Sequence, residues 1–561
     1  MVNWKSRKLS DLLVFAIGLV LLVLINLLAT RYFFRADLTE EKRYSIKPQT
    51  REMLKNLDDV VYIEVFLEGD LNPGFRRFQK SIRETLEEFR IYSGNKVRFT
   101  FTDPAQAMGQ KARSEFMADL AARGIQPTNV VEKNNGERAE KIIFPGALVN
   151  YGGLETGVML LKGNKAQNPE EEINQSIEGV EYEIASAIHT LSNAGRKRIG
   201  LVTGHGELDS LDLAGFRSEV QRLYDVSRAP LDGSKNLTDF DALVIAKPTR
   251  TYAAAHKYRL DQYIMQGGKV LFLIDKLGAS MDSASQDNYF AFPYNLDLDD
   301  QLFRYGIRLN LDLVQDRTSA VYPVVTGQTQ GGKPRLQLME WPFFPLLNHY
   351  ADHPITRNLD AVVTRFVSSI DTVKAPGIRK TPLLFTSAYS RTVTAPVRVN
   401  INMLREEQSQ EYTQSSIPVG YLLEGTFTSL YKNRFAPEGM DTTGFRATGK
   451  DTRLVVIADG DLVRNEINVR TRQPQALGFD PFTNYTFANR DLLLNILAFL
   501  TDDGGLIQTR NKEVKIRPLD REKVRLEKVK WQVINLAVPL VLLIAYGVLR
   551  VYWRRRKYAR F

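Results

Sequence analysis

The 561-residue chain contains no cysteine. That excludes disulfides, thiolate metal sites and any cysteine nucleophile at once. It leaves the compartment open, since cysteine-free chains suit an oxidising space but also occur elsewhere. Histidine is scarce as well, with five residues, so one that stands beside a carboxylate has to be weighed individually. Most of the chain also lacks an excess of basic charge. The net charge is +10, but residues 510–561 hold 15 Lys and Arg against 4 Asp and Glu, which leaves the remainder close to neutral. A basic tail surrounding a hydrophobic segment points to a membrane surface, and nucleic acid is not an expected partner.

Length alone predicts two or three domains. Residues 12–29 (LLVFAIGLVLLVLINLLA) are apolar apart from one Asn, and as a helix they nearly match the bilayer core. Lys5, Arg7 and Lys8 precede this run and Tyr32, Phe33 and Phe34 follow it. The cleavage site is poor, so the run reads as an uncleaved anchor. Residues 533–549 (VINLAVPLVLLIAYGVL) read as a second span, flanked by Trp531, Tyr552 and Trp553 and kinked at Pro539. The RRRKYARF block beyond it places both termini in the cytoplasm by the positive-inside rule. The bulk of the chain is then extracytoplasmic, which in a bacterial cell means anchored in the inner membrane and facing the periplasm, with lipid as a partner.

The expected segments are a cytoplasmic N-terminus (1–11), a first transmembrane helix (12–30) and an α/β domain (31–195). A larger α/β domain (196–505) with a β-rich insertion near 380–440 follows. A juxtamembrane segment (506–531), a second transmembrane helix (532–550) and a basic tail (551–561) complete the chain. In the first domain Ser45 predicts a helix N-cap ahead of Pro48. VVYIEVFLEG (60–69) alternates as a strand, residues 75–93 have helical period, and KVRFTFTDP (96–104) is a strand again. A helix over 105–123, two or three strands within 128–162 turned at NYGGLETG, and a long helix from 168 complete the order β-α-β-α-β-β-α. That order resembles thioredoxin without its Cys-x-x-Cys, which implies a binding or structural domain.

In the second domain IGLVTGHGE (199–207) is an apolar strand ending in a histidine between two glycines, with a carboxylate behind it. DFDALVIAKPT (239–249), a helix over 258–268 stopped by glycine, and KVLFLID (269–275) continue a strand–helix alternation. This predicts a doubly wound parallel sheet. Ligands of such sheets sit at the carboxyl ends of the strands, where GHGE, KPTR and LIDK all fall. RLVVIADGDLVRN is expected to return to the same sheet, with Asp459 and Asp461 in its turn.

These segments, together with DLTEEKRYSIKPQT, RLVVIADGDLVRNE and the stretch NRDLLLNILAFLTDDGGLIQTRNKEVKIRPLD before the last span, resemble the auxiliary-protein family of ABC transporters. Within it they are similar to the gliding-motility, GldG-type subunits. The resemblance implies a central domain like class I glutamine amidotransferases, a partner ABC permease and cytoplasmic ATPase, and a role in motility. Amidotransferase chemistry needs a thiolate, which this chain lacks.

Gly204, His205, Gly206, Glu207 and Asp275 are the candidate ligand-binding residues. A histidine beside a carboxylate suits proton exchange, but no nucleophile and no further metal ligand accompanies it. The simpler reading is a tight turn in which Glu207 favours the following helix N-terminus. GFRATGKD (444–451) nearly fits a phosphate-binding loop but has Asp451 where a hydroxyl is required, and it precedes a strand. His349 and His353 have the spacing of metalloprotease ligands without the glutamate, and Pro354 follows. Asp297, Asp299 and Asp300 lack calcium-loop spacing. No cofactor, metal or catalytic residue is expected. The function read from the sequence is a non-enzymatic, membrane-anchored auxiliary subunit with a periplasmic domain for a ligand, or for a periplasmic or cell-wall partner. The alternatives are a periplasmic hydrolase using GHGE and a passive scaffold.

Overall fold

The computed structural model of the chain describes residues 7–31, 45–104, 110–134, 137–162, 169–192, 195–284, 289–328, 334–401, 411–502, 504–511 and 521–558. Lys5, Arg560 and the aromatic run Tyr32, Phe33 and Phe34 lie outside them. The chain divides into two units, Met1–Lys512 and Glu513–Phe561.

The second unit contains one continuous helix, Arg521–Tyr558, with Pro539 inside it. Its stretch Glu527–Arg556 is long and apolar enough to cross a membrane, and none of the side chains there is buried. It is the only such helix among the described residues. In the first unit, helix α1 (Arg7–Arg31) exposes apolar residues from Leu13 to Ile25.

Helix α2 (Pro48–Lys55) starts one residue after Lys47, which has no side-chain cap. The expected Ser45 cap is therefore displaced. Glu181 takes over, accepting from the Lys47 backbone N–H at 2.6 Å and from Thr50 Oγ1 at 2.8 Å. A carboxylate from a distant helix thus holds the residue before the helix and a hydroxyl of its first turn, and places negative charge at the helix N-terminus.

Strand β1 (Val61–Val65), helix α3 (Pro73–Tyr92) and strand β2 (Val97–Phe101) form a parallel βαβ unit, with Asn72 capping α3. After α4 (Gln110–Ala122) comes a hairpin of β3 (Thr128–Asn134) and β4 (Glu137–Ile143), then β5 (Gly146–Tyr151) and β6 (Leu154–Met159). Four strands thus stand where two or three were expected. The β5–β6 turn needs positive φ at two successive residues, which Gly152 and Gly153 supply at 57° and 82°. The sheet order is β2-β1-β5-β6, with β5 antiparallel to β1, and α3 and α5 (Pro169–Ser192) pack together beside it. Phe78, Ile82, Leu86 and Phe89 of α3 share a core with Ile184 and Ile188 of α5.

The larger core belongs to an eight-stranded sheet. Strands β7 (Arg198–Thr203), β8 (Asp225–Pro230), β9 (Ala242–Ala246) and β10 (Lys269–Leu273) are parallel. Helix α6 (Ala214–Gln221) joins β7 to β8, and α7 (Ala254–Met265) joins β9 to β10. The remaining strands of the sheet are β11 (His349–Tyr350), β12 (Ile378–Phe385), β13 (Pro418–Thr428) and β14 (Thr448–Ile457). The full order is β11-β12-β13-β14-β10-β9-β7-β8. β14 pairs parallel with β10, while β11, β12 and β13 continue the sheet in antiparallel fashion. The strand-rich stretch near 380–440 therefore contributes two strands to the main sheet.

ALVIA in β9 is buried at every position, as a strand covered on both faces must be. From β7 the chain runs outward to β8, then returns past β7 to lay down β9, β10 and finally β14. The direction of winding reverses between β7 and β9, and a crevice at the carboxyl ends is expected there.

Helix α7 is anchored by Asp261, which is fully buried. It accepts from Tyr305 Oη at 2.8 Å, Ser429 Oγ at 2.6 Å and the Leu430 N–H at 2.9 Å. Replacing Asp261 by Ala strands three buried donors. Urea unfolding of the detergent-solubilised chain is expected to show a loss of about 3 kcal/mol; a loss below about 1 kcal/mol would mean that the anchor is dispensable.

Candidate functional site

The turn after β7 is built on two glycines, Gly204 at φ 120° and Gly206 at φ 73°. A Cβ on Gly206 would lie 2.3 Å from Thr249 Oγ1, so the turn is pressed against the loop after β9. Two backbone bonds close that contact, with the Thr249 and Arg250 N–H groups donating to the His205 carbonyl at 2.9 and 2.8 Å.

His205 is 2% exposed. Its ring stacks on Tyr252, with centroids 3.7 Å apart and planes 5° from parallel. Glu207 accepts from the His205 backbone N–H at 2.7 Å and lies 3.0 Å from His205 Nδ1. On the other side His205 Nε2 lies 2.8 Å from Nδ1 of His256, in the first turn of α7. Glu207 therefore does not serve the following helix. α6 begins only at Ala214, and Asp209 turns the chain ahead of it by accepting from the Leu211 and Asp212 N–H groups at 2.8 Å. Burial, then Glu207, pushes the Tyr252 phenol well above its ordinary pKa. His256 is pushed down by burial, then by His205 and Arg259.

A second cluster occupies the ends of β9, β10 and β14. Lys247, the first residue after β9, has φ 54°, a left-handed conformation rare outside glycine. Gly460 must be small beside it, because a Cβ there would lie 2.6 Å from Lys247 Cβ. The buried Lys247 ammonium pairs with Asp275 Oδ2 at 2.8 Å and with Asp461 Oδ2. Asp275 also accepts from the Gly460 N–H. Asp459 accepts from the N–H groups of Asp461 at 2.7 Å, Leu462 at 3.1 Å and Arg365 at 2.8 Å.

Burial raises the Asp275 carboxyl to about 6, with Lys247 opposing. Burial, then Asp275 and Asp461, holds Asp459 well above the carboxylate range. Burial alone would lower Lys247, but the two aspartates outweigh it and keep its pKa above the ordinary value. Asp275, Asp459 and Asp461 offer oxygens within 4.8 Å of one another, a donor set for a hard cation. The Lys247 ammonium takes the cationic place.

Of the five candidate residues, Gly204, His205, Gly206 and Glu207 share one turn. Asp275 stands apart, two strands along, where Lys247 separates it from them in strand order. Tyr252, His256 and Lys247 were not singled out in the sequence. KPTR marked the loop, but nothing in it signals a positive φ or a histidine reaching back from the next helix. The other motifs are structural. Gly449, Lys450 and Asp451 lie inside β14. His349 is exposed in β11, and burial lowers His353 to about 4. Asp297 and Asp300 pair with Lys257, and Asp299 with Lys276. A separate cleft of about 300 Å³ opens along α7 beside Tyr258, Arg259 and Phe445, and its lining includes neither His205 nor Lys247.

A family model described as an ABC-type uncharacterized transport system matches residues 196–496, which takes in the whole eight-stranded sheet. The chain belongs to this family of ABC transporter auxiliary proteins. A second model, a domain of unknown function, matches residues 40–150. An uncharacterized protein of Borreliella burgdorferi is 21% identical over 442 residues, covering 77% of this chain and 80% of that one. Among solved structures, one titled mmIFT52 N-terminal domain is 13% identical with a TM-score of 0.32, covering 55% of this chain and 99% of its own. A putative ThuA-like protein from Parabacteroides merdae is 11% identical with a TM-score of 0.25, covering 58% and 94%. At such scores neither structure bears on the fold or function of this auxiliary protein.

The Asp275 shift sets a pH dependence. Its carboxyl titrates near 6 when folded and near 3.9 when unfolded, so the folded state holds the proton more tightly. The contribution is therefore complete below about pH 4 and is lost as pH rises through about 6. His353, lowered on folding, acts in the opposite sense over much of the same window. The difference between the wild type and Asp275→Asn cancels His353 and reports the aspartate together with its influence on Asp459: the wild type should lose stability relative to the variant between about pH 4 and 6. Parallel stability–pH curves would contradict the shift. Lys247→Met should cost about 3–5 kcal/mol, because it leaves buried carboxylates without their counter-ion.

Proposed function

We propose that this auxiliary protein is a non-enzymatic, membrane-anchored subunit of an ABC transporter complex of the GldG type, acting in gliding motility. Two helices, α1 and the C-terminal helix, anchor it in a bacterial inner membrane with both termini cytoplasmic and the α/β body in the periplasm. An ABC permease and a cytoplasmic ATPase are its partners. The family match over residues 196–496 carries this reading, and the apolar stretch Glu527–Arg556 supports its membrane part. The strand order β2-β1-β5-β6 supports a thioredoxin-like first domain, and the doubly wound order β8-β7-β9-β10-β14 an amidotransferase-like second one.

The crevice between β7 and β9 serves as a binding site for a ligand or a periplasmic partner. Hydrolysis is the weaker reading. The strained strand–helix elbow, where α/β enzymes seat a nucleophile, holds Lys247 after β9. Its paired aspartates keep that amine protonated, and a protonated amine has no lone pair with which to attack.

Affinity purification of the tagged chain from native membranes tests the assignment. A permease and an ATPase should co-purify in fixed ratio, and His205→Ala should leave that assembly intact while impairing motility. Recovery without either subunit, under mild detergent, would sink the transporter reading.

A further inference from the structure

The imidazole pair at the crevice has a determined proton arrangement, and this deepens the binding reading above, on which it rests. As a carboxylate, Glu207 accepts hydrogen bonds and donates none. Its contact with His205 Nδ1 at 3.0 Å therefore places a proton on that nitrogen, and a ring that carries this one proton keeps its lone pair on Nε2. That lone pair faces His256 Nδ1 at 2.8 Å, so His256 must carry its proton on Nδ1. The outward nitrogen of His256, Nε2, is then an acceptor. It has no hydrogen-bond partner among the described residues, and the side chain is half-buried at the start of α7.

The arrangement is held from behind. His205 is clamped by the Tyr252 stack and by three backbone bonds at its own peptide groups, so it does not rotate to release its neighbour. Histidines that present one nitrogen to a ligand commonly donate the other N–H to a fixed acceptor in this way. Burial first, then His205 and Arg259, lowers the His256 pKa, with Asp232 and Glu207 opposing, so the ring is neutral at neutral pH.

We propose that His256 is the ligand-contacting residue of the crevice and that it takes a ligand offering a hydrogen-bond donor, a hydroxyl or an ammonium, with His205 and Glu207 as positioning residues behind it. An anion such as phosphate meets a lone pair at this atom and is disfavoured there.

Five histidines in the chain make selective ¹⁵N-histidine labelling of the full-length, detergent-solubilised protein readable. Long-range ¹H–¹⁵N spectra at neutral pH should show His205 and His256 both protonated at Nδ1. Adding methylammonium or ethylene glycol should shift the His256 Nε2 resonance, and inorganic phosphate should not. His256 protonated at Nε2 would overturn the assignment while leaving the crevice reading standing. A shift with phosphate alone would overturn the ligand class. The expected tautomer with no response to any probe would overturn both the inference and the crevice reading. Glu207→Leu should return His256 to a mixture of tautomers, which a merely structural carboxylate would not do. Should that variant fail to fold, Glu207→Gln, whose amide N–H can donate to His205 Nδ1, keeps the test open through the same change in the His256 tautomer.

Discussion

The Lys247 ammonium, seated between Asp275 and Asp461, ties together the ends of three adjacent strands. Much at the carboxyl edge follows from it. Three carboxylates brought out of water near one another would repel, and one buried cation offsets that only in part. The remaining charge is managed by backbone donors at Gly460, Asp461, Leu462 and Arg365, and by protons held on the carboxyls. The strained backbone at Lys247 and the close approach of Gly460 are the geometric cost of putting the ammonium in that place. A lysine so paired is a fixed cation and a poor nucleophile.

The neighbouring crevice is organised differently. There the GHGE turn is bonded to the loop after β9 through its backbone, and its side chains form a chain of partners from Glu207 through His205 to His256. One edge thus holds two clusters, one neutralised internally and one ending at a half-buried imidazole. On the proposed reading, a transport auxiliary that contacts a ligand or partner without transforming it needs a rigid frame and an accessible contact, and the two clusters would divide those roles.

Much of the fold is legible in the residues. The buried run ALVIA, the glycine-stopped helix α7 and the two-glycine turn at Gly152 and Gly153 follow from local patterning, because burial on both faces and positive φ leave marks on a short segment. Ser45 misled because the donor at the start of α2 finds Glu181, more than 130 residues away. The site was half legible. The glycines around His205 announced a turn at a strand end, and their spacing is a local property. His256 and Lys247 did not announce themselves, since their roles arise from pairing across β7, β9, β10 and β14, which sequence spacing does not encode. Asp275 was rightly placed at a strand end but belongs with Lys247 and not with His205.

Amide hydrogen–deuterium exchange at the carboxyl edge tests most directly whether that edge is a rigid, internally neutralised frame. The account predicts that the amides of Arg365, Gly460, Asp461 and Leu462, each donated to a buried carboxylate, exchange as slowly as amides within β10 and β14. Exchange of these four as fast as the exposed loop residues 432–435 would contradict it, because the carboxylates would then not be holding the strand ends together.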